Sequence, residues 1–199
     1  MDRRLIEETF PIKEVSEESV REKRLRYGHI STLHVWWARR PLSSSRATIY
    51  SSLVKPPTNL KKLSKEEDFI INLSKWESSN NLAIIEKAKK EIIQANQGKR
   101  PKVLDPFGGG GSIPLEATRL GCETYALDYN PVACLLLKCV AELPQKYNEK
   151  SRLDKGLTSH TQESKFLKDL KKWQKWVNVQ AEDEIGKFYP KENDGSIIV

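Results

Sequence analysis

The stretch Val103-Leu104-Asp105-Pro106-Phe107-Gly108-Gly109-Gly110-Gly111-Ser112 decides how this chain is expected to fold. It predicts a short apolar strand that ends on a carboxylate, a turn of four glycines, and a helix that begins at Ser112. Because glycine lacks a Cβ, a ligand can lie directly against the backbone of such a turn. The unpaired N–H groups at the start of the helix point toward the same place. The pattern is typical of a site for a small-molecule cofactor.

A second strand is predicted shortly after this helix. Gly121 is a suitable helix stop, and Glu123 to Leu127 read as a strand that Asp128 closes, about 23 positions after Asp105. Strand, glycine turn, helix and strand form a βαβ unit, whose two strands end at the same edge of a parallel sheet. Ligands of doubly wound folds bind at that edge. We expect Asp128 to accept hydrogen bonds from two ribose hydroxyls, while Asp105 and the glycine turn meet the other end of the ligand.

The details of the turn favour one class of nucleotide ligand. A phosphate-binding P-loop needs a lysine after its last glycine, and none follows Gly111. A dinucleotide turn has no acid or bulky aromatic residue before its glycines, whereas Asp105 and Phe107 stand there. An apolar face beside a negative charge suits a zwitterionic sulfonium ligand better than a pyrophosphate. The alternative is a glycine turn that serves only the packing of strand against helix.

Two motifs carry a resemblance to a known family. The segment from Asp105 to Gly111 resembles the first S-adenosylmethionine motif of amino-methylating DNA methyltransferases, an Asp-Pro-Phe-x-Gly-x-Gly loop that holds the methionine end of the cofactor. Asp128-Tyr129-Asn130-Pro131 resembles the second motif, whose acid binds the ribose and whose next residue packs on adenine. More narrowly, the chain resembles the N-terminal part of large adenine-specific DNA methylases whose full-length members also carry a zinc ribbon. Other segments that carry it are Arg3 to Glu7, His34 to Leu42 and Phe188 to Pro190, with a weaker middle from Lys55 to Lys99.

The resemblance implies an α/β fold, in the form of a partial, helix-rich Rossmann-like methyltransferase domain that binds S-adenosylmethionine. In permuted members of this class, a proline turn followed by a helix lines the methionine end of the cofactor, and His34 to Leu42 occupies that position here. The alternative for this segment is a tryptophan pair that packs under the sheet. The residues assigned to the cofactor are Asp105, Pro106, Phe107, Gly108, Gly109, Gly110, Asp128, Tyr129 and Pro131, together with Trp37, Arg39 and Pro41.

The device that binds the target base is missing from the sequence. Methylation of a base amino group needs a polar acceptor, a proline turn and an aromatic side chain that stacks the flipped base. In the family this is an Asp/Asn/Ser-Pro-Pro-Tyr/Phe/Trp tetrapeptide, whereas the only Pro-Pro pair here, Pro56-Pro57, lacks both the acceptor and the aromatic residue. No catalytic residue is therefore assigned. Only two strands are convincing, with Ser196 to Val199 as a candidate third, and a parallel sheet needs covered faces. We expect a second subunit or a C-terminal continuation to complete the sheet and carry the tetrapeptide.

Composition and charge limit the other functions. The 199 residues include 34 Lys and Arg against 27 Asp and Glu, for a net charge of +7, which permits DNA as a partner without requiring it. Basic clusters at 21–26 and 39–46 could neutralise phosphates, or could be solvated helix faces that pair with nearby acids. No run approaches the roughly 20 apolar residues of a membrane span, and no signal peptide is recognisable, so a cytoplasmic protein without a membrane partner is expected. The three cysteines are Cys122, Cys134 and Cys139, and their spacing is not that of metal ligands. They are expected to be buried, and no metal site is predicted.

Four segments are predicted along the chain. Residues 1–55 form an N-terminal helical segment with the proline turn, 56–100 a helical insertion, 101–144 the cofactor-binding βαβ unit, and 145–199 a C-terminal helical extension. Trp173 and Trp176 recur at helical spacing in the last segment and are expected in its core. Helices are expected from Ser16 or Glu17 to Arg26, from Pro41 or Leu42 to Leu53, and over 65–97, 131–142 and 162–188. The helix over 131–142 is expected to be apolar and buried, with Asn130 as its cap and Pro131 as its first residue.

The expected function is the S-adenosylmethionine-binding part of an adenine-N6-type DNA methyltransferase. The enzyme would be split or truncated, so that this chain alone is inactive. Two alternatives remain open from the sequence. One is a non-catalytic binding or assembly subunit that retains the methyltransferase fold, and the other is an RNA or protein methyltransferase with the same cofactor site.

Overall fold

A computed structural model describes residues 3–25, 29, 34–147 and 165–190. The chain divides into two compact units, residues 1–143 and 144–199. The helices and strands are α1 (Leu5–Glu8), α2 (Ile12–Arg24), α3 (Leu42–Leu53), α4 (Leu60–Ser74), α5 (Leu82–Ala95), β1 (Lys102–Asp105), α6 (Ser112–Arg119), β2 (Glu123–Ala126), α7 (Pro131–Leu137), α8 (Leu143–Tyr147) and α9 (Lys165–Ile185). Single 3₁₀ or π turns cover Trp76–Asn80, Lys138–Glu142 and Gly186–Phe188. The described part is thus helix-rich α/β, as predicted.

Helix α3 is the central element of the first unit. It begins after Pro41 and ends before the Pro56-Pro57 pair, which matches the predicted bounds. It packs against α1, α2, α4, α5 and α6. Leu42, Ala47 and Tyr50 are fully or almost fully buried. The core of the unit is therefore built around α3, with apolar residues from α2, α4, α5 and α6 completing it.

The helical pattern predicted over 65–97 forms two helices. Asn59 caps α4 by accepting a hydrogen bond from the backbone N–H of Lys61 at 2.8 Å, and Asn81 caps α5 by accepting one from Ala83 at 3.1 Å. Between them, the hydroxyl of Ser78 donates to the carbonyl of Asn72. Ser and Asn side chains compete in this way for backbone groups that a continuous helix would use. The helical periodicity over 65–97 therefore did not reveal the break between α4 and α5.

The sheet of the described residues consists of β1 and β2 in parallel. The register pairs Lys102 with Glu123 and Asp105 with Ala126. Since side chains alternate between the two faces of a strand, Val103 points toward the core that α3 and α6 form, and Leu104 points away from it. Leu104 is 60% exposed and its cross-strand neighbour Tyr125 is 48% exposed. One face of this parallel sheet is thus bare in the part of the chain that the structure describes, and the candidate third strand, Ser196 to Val199, lies outside that part.

Three expectations about burial were wrong. Cys122 is buried, but Cys134 and Cys139 are exposed. The run from Pro131 to Glu142 packs on one side only, because Ala133 and Leu137 lie inward while the opposite side of the helix faces outward. Trp173 and Trp176 are 60% and 55% exposed along α9, and their rings meet edge to face at 5.8 Å. Apolar composition alone does not tell which side of a helix has a neighbour.

Every helix among the described residues is too short or too polar to cross a membrane.

Candidate cofactor site

The two predicted halves of the site meet at one edge of the sheet. The backbone N–H of Gly109 donates to Oδ2 of Asp128 at 2.8 Å, and the N–H of Gly108 donates to the carbonyl of Leu127 at 2.8 Å. Further back, the N–H of Leu127 donates to the carbonyl of Asp105 at 2.9 Å. The glycine turn that follows β1 is therefore tied directly to the acid that follows β2.

Two of the glycines are required by backbone conformation. Gly109 has φ of +49° and Gly111 has φ of +82°, a region that residues with a Cβ rarely adopt. Gly111 stands immediately before α6 and turns the chain into that helix. The predicted strand, turn and helix boundary at Ser112 is thus confirmed.

Each acid organises the turn that follows it. Asp105 is nearly buried, and its Oδ1 accepts a hydrogen bond from the N–H of Phe107 at 3.1 Å. Asp128 is partly exposed, and its Oδ1 accepts one from the N–H of Asn130 at 2.8 Å. The backbone hydrogen bonds from Asn130 and Gly109 lower the pKa of Asp128, because they stabilise the charged carboxylate. Asp128 therefore presents a fixed, ionised carboxylate at the edge of the sheet.

Aromatic side chains flank this carboxylate. Phe107 is 84% exposed, and Tyr129 is fully exposed. Asn130 caps α7 by accepting a hydrogen bond from Val132 at 2.9 Å, with Pro131 as the first helical residue, as the sequence predicted. Both aromatic rings are accessible to a planar ligand beside the acid.

The proline-turn segment approaches the glycine turn through Trp36. A Cβ built on Gly109 would lie 2.6 Å from Nε1 of Trp36, and one built on Gly110 would lie 3.1 Å from Cβ of Trp36. Cγ of Arg39 lies 3.9 Å from the same position on Gly110. Trp37 points into solvent and is 94% exposed. Packing against Trp36 thus accounts in part for the glycines at 109 and 110, and the residue that lines the turn is the neighbour of the predicted one.

Gly108 is covered by Leu137 rather than by Trp36. A Cβ built there would lie 3.0 Å from both methyl carbons of Leu137, which belongs to α7. Gly108 and Gly109 are both buried, whereas Gly110 is partly exposed. The accessible surface at this edge therefore consists of Trp36, Phe107, Gly110 and the Asp128 carboxylate rather than of bare backbone.

The buried carboxylate of Glu22 holds the end of the proline-turn segment, residues 34–42, where α3 begins. Oε1 and Oε2 of Glu22 accept hydrogen bonds from the N–H groups of Leu42 and Ser43 at 2.9 and 2.8 Å, so that an acid on α2 caps the first turn of α3. Nε2 of His29 lies 2.9 Å from Oε1 of Glu22, and Nη1 of Arg39 lies 2.8 Å from Nδ1 of His29. These partners place the proton of a neutral His29 on Nε2, where it is donated to Glu22, and leave Nδ1 to accept from Arg39.

The charges of this cluster follow from its burial and its hydrogen bonds. Burial works to raise the pKa of Glu22, but hydrogen bonds from Ser43, Leu42 and His29 outweigh it and lower the pKa. Burial lowers the pKa of His29, and the nearby Arg39 guanidinium adds to this, against the opposing effect of Glu22. The ring of His29 also stacks on Trp76, with centroids 4.8 Å apart. A network of Glu22, His29 and Arg39 thus joins α2 and α3 to the glycine turn.

The sequence pattern did not single out Glu22 and His29. Glu22 stands in a run of charged residues, where the sequence predicts acids that pair with the nearby basic residues. The available signal was its spacing of two helical turns from the apolar Val15, because Val15, Ser19 and Glu22 share one face of α2.

A second buried ion pair lies behind the glycine turn. Nε of Arg46 on α3 is 3.1 Å from Oε2 of Glu116 on α6, and both side chains are fully buried. Glu116 also pairs with Arg119. Burial raises the pKa of Glu116 and lowers that of Arg46, because each charged form loses hydration. The pair joins the helix that starts at the glycine turn to the helix that follows Pro41.

A cavity of about 460 Å³ lies beside β1, between the strand and α3. Its walls include Arg40, Thr48, Ile49, Lys102 and Val103. None of the residues that line it is among those assigned to the cofactor. In the part of the chain that the structure describes, no three His, Cys, Asp or Glu side chains are grouped to hold a metal ion.

Comparison with known proteins adds one match. Residues 9–78 match the model of a family described as "Protein of unknown function (DUF1156)". The matched stretch, about a third of the chain, contains Glu22, His29, Trp36 and Arg39 and ends before the glycine turn. Searches of curated proteins and of solved structures found no match.

Proposed function

We propose that this chain is the S-adenosylmethionine-binding part of an adenine-N6-type DNA methyltransferase, within a Rossmann-like domain. The observation that supports this most directly is the hydrogen bond from Gly109 to Asp128. It joins a glycine turn and an acid at the carboxyl edge of two parallel strands, where nucleotide ligands bind in doubly wound folds. The sequence motifs on both sides of this bond resemble those of the amino-methylating DNA methyltransferases.

The residues at this edge suit the groups of the cofactor. The ionised carboxylate of Asp128 keeps lone pairs for the ribose hydroxyls, and the exposed ring of Tyr129 beside Pro131 offers a surface for adenine. The turn from Asp105 through Pro106 to Gly110 would hold the methionine end. Of the three residues proposed from the proline-turn segment, Arg39 has its side chain near Gly110, Pro41 precedes α3, and Trp37 is turned to solvent.

The proposed chemistry asks the chain to bind and to orient. When bound, the cofactor would supply an electrophilic methyl group: its carbon–sulfur bond breaks to leave a neutral thioether, a carbon–nitrogen bond forms, and the amino group gives up one proton. The barrier falls mainly because the methyl group is held in line with the amino nitrogen, at about 3 Å. The residues of this chain fix the donor, and the acceptor-binding tetrapeptide is absent from the sequence.

The bare sheet supports the proposed need for a partner. Parallel sheets occur with both faces covered, yet Leu104, Tyr125 and Leu127 lie exposed on one face here. We propose that a second subunit or a C-terminal continuation covers this face and carries the Asp/Asn/Ser-Pro-Pro-aromatic motif. DNA is the proposed substrate, and the cytoplasm the proposed compartment. The absent tetrapeptide equally favours a second candidate, a non-catalytic assembly subunit that binds the cofactor without turnover.

Calorimetric titration with S-adenosylmethionine tests the cofactor assignment. The full chain is expected to bind it, and Asp128→Ala is expected to weaken binding by about 1 to 3 kcal/mol through loss of the ribose hydrogen bonds. Asp68→Ala, an exposed acid on α4, is the matched control and should leave affinity unchanged. A wild-type chain that does not bind the cofactor would overturn the proposal.

Methyl transfer to DNA distinguishes the enzyme from the assembly subunit. Incorporation of labelled methyl groups should appear only when the chain is mixed with the product of a neighbouring gene that carries the tetrapeptide. Transfer by the chain alone would contradict the need for a partner. Cofactor binding without transfer in any mixture would favour the assembly subunit.

A further inference from the structure

We propose that Trp36 makes this site select the positively charged methyl donor over its neutral product, S-adenosylhomocysteine. The inference rests on the proposed function and assigns a specificity role to a residue outside the predicted set. Trp36 is the aromatic side chain packed against Gly109 and Gly110, and it is partly exposed. A ligand that lies on Gly110 would therefore lie next to the indole.

The chemistry of the donor makes an aromatic wall informative. A sulfonium group carries a permanent positive charge but has no N–H or O–H, so hydrogen bonds cannot recognise its charge. Carboxylates and aromatic faces can, and tryptophan gives the strongest cation–π attraction among side chains. The thioether of the product lacks both the positive charge and the transferred methyl group. A tryptophan at this position thus raises affinity for the donor while leaving affinity for the product nearly unchanged.

Nearby charges do not cancel this effect. Cγ of Arg39 lies near Gly110, but Nη1 of this side chain is held 2.8 Å from Nδ1 of His29 and 3.9 Å from Oε1 of the buried Glu22. Its charge is therefore directed toward a carboxylate that balances it. The ring of His34 lies 6.2 Å from that of Trp36, tilted by 48°. Among the described residues at the turn, the groups that a cation can reach are the Trp36 indole, the exposed ring of Phe107 and the carboxylate of Asp128.

The glycines make the close approach of Trp36 possible. At Gly109 a Cβ would overlap the indole nitrogen, at 2.6 Å. Glycine at 109 therefore serves the turn conformation and the seating of the indole at the same time. The next residue, Trp37, has the same side chain but is turned to solvent, so only Trp36 lies against the glycines.

The test is the ratio of two affinities, measured by calorimetry on the full chain with S-adenosylmethionine and with S-adenosylhomocysteine. Trp36→Met keeps an apolar side chain and removes the aromatic face, and it should reduce the preference for the donor by a factor of about 2 to 30. Trp36→Phe should retain most of the preference, and Trp173→Met, at an exposed position of α9 outside the assigned site, should leave it unchanged. Circular dichroism confirms that each variant is folded.

The possible results distinguish a failure of the specificity role of Trp36 from a failure of the cofactor assignment. If the wild-type chain binds neither compound, the cofactor assignment fails. If the wild-type chain binds both compounds and Trp36→Met weakens both affinities equally or not at all, Trp36 does not distinguish donor from product, and the specificity role is overturned. If Trp36→Met does not fold, Trp36→Phe and Trp36→Tyr still decide, since a preference lost in both aromatic variants contradicts the role.

Discussion

His29 lies between a carboxylate and a guanidinium, and this placement makes the fold sensitive to acid. The neutral ring satisfies both neighbours, whereas a proton on Nδ1 would face Arg39. Burial and Arg39 lower the pKa of His29 in the folded chain below its ordinary value of 6.5. In the unfolded chain the ring takes up its proton near that ordinary value, so that between the two pKa values the unfolded state binds more protons.

Stability is therefore expected to be fully present above about pH 6.5 and to fall as the pH drops from there toward the lowered pKa of His29. Urea unfolding at pH 7.5 and at pH 5.5 measures the loss. His29→Gln should lessen the difference between the two conditions, and His34→Gln, at an exposed position, should leave it unchanged. The lowered pKa of Glu22 acts in a separate window, since its stabilisation is lost only as the pH falls below its ordinary value of 4.5. A wild-type chain equally stable at both pH values contradicts the role of His29.

Gly109 offers a second test at the scale of one residue. Gly109→Ala places a Cβ against the indole of Trp36 in a backbone of φ +49°, so a loss of about 1 to 3 kcal/mol in unfolding free energy is expected. Gly98 has φ of +77° but nothing within 4 Å of a Cβ, so Gly98→Ala should cost only the backbone strain, about 1 kcal/mol. Equal losses in the two variants would show that Trp36 does not press on the turn.

At the scale of elements, the buried ion pair between Arg46 and Glu116 joins α3 to α6. Both ends are fully buried, so removing Glu116 leaves the Arg46 charge without its ion-pair partner, and removing Arg46 leaves Glu116 with only the part-exposed Arg119. Glu116→Leu or Arg46→Met alone should lower the unfolding free energy by about 3 to 5 kcal/mol. The double variant Arg46→Met with Glu116→Leu should lose clearly less than the sum, since no buried charge then remains.

Chemical denaturation of the four species forms a double-mutant cycle for this pair. The exposed pair Lys89–Glu86 is the matched control, and its removal should change the free energy by less than about 1 kcal/mol. Additive losses for Arg46 and Glu116 would mean that the two charges do not interact. An unchanged structure with weaker cofactor binding in the double variant would show that the pair positions α3 for the site.

At the scale of the whole molecule, the bare face of the sheet is the main unsatisfied feature of the described residues. Leu104, Tyr125 and Leu127 form an exposed apolar surface of a kind that monomeric proteins usually cover. Leu104→Thr with Leu127→Thr should reduce the fluorescence of a hydrophobic dye and the self-association of the chain. The unfolding free energy should change by no more than about 0.5 kcal/mol, because these side chains are solvated already.

Two scattered leucines provide the control for that surface. Leu60 and Leu82 are 83% and 78% exposed at the starts of α4 and α5. Leu60→Thr with Leu82→Thr should leave dye fluorescence unchanged, since single exposed leucines form no continuous patch. A large loss of stability in the Leu104 and Leu127 variant would instead show that the face is covered within this chain.

The sequence by itself determined the βαβ unit and the bounds of α3. Positive φ at Gly109 and Gly111, the Asn130-Pro131 start of α7 and the prolines around α3 act over a few residues, so local pattern is enough to predict them. It also brought Asp105 and Asp128 to one edge, because a short parallel crossover leaves no other arrangement.

Only the tertiary structure decided that Trp36 rather than Trp37 lines the turn, that Glu22 caps α3, and that Cys134 faces outward. Each of these depends on which face of an element meets a neighbour that is distant in sequence. The caps of α4 and α5 were local, yet the periodic charges around them gave a stronger signal and hid the break. Burial depends on the contacts between elements, and a run of apolar or charged residues does not specify which contacts form.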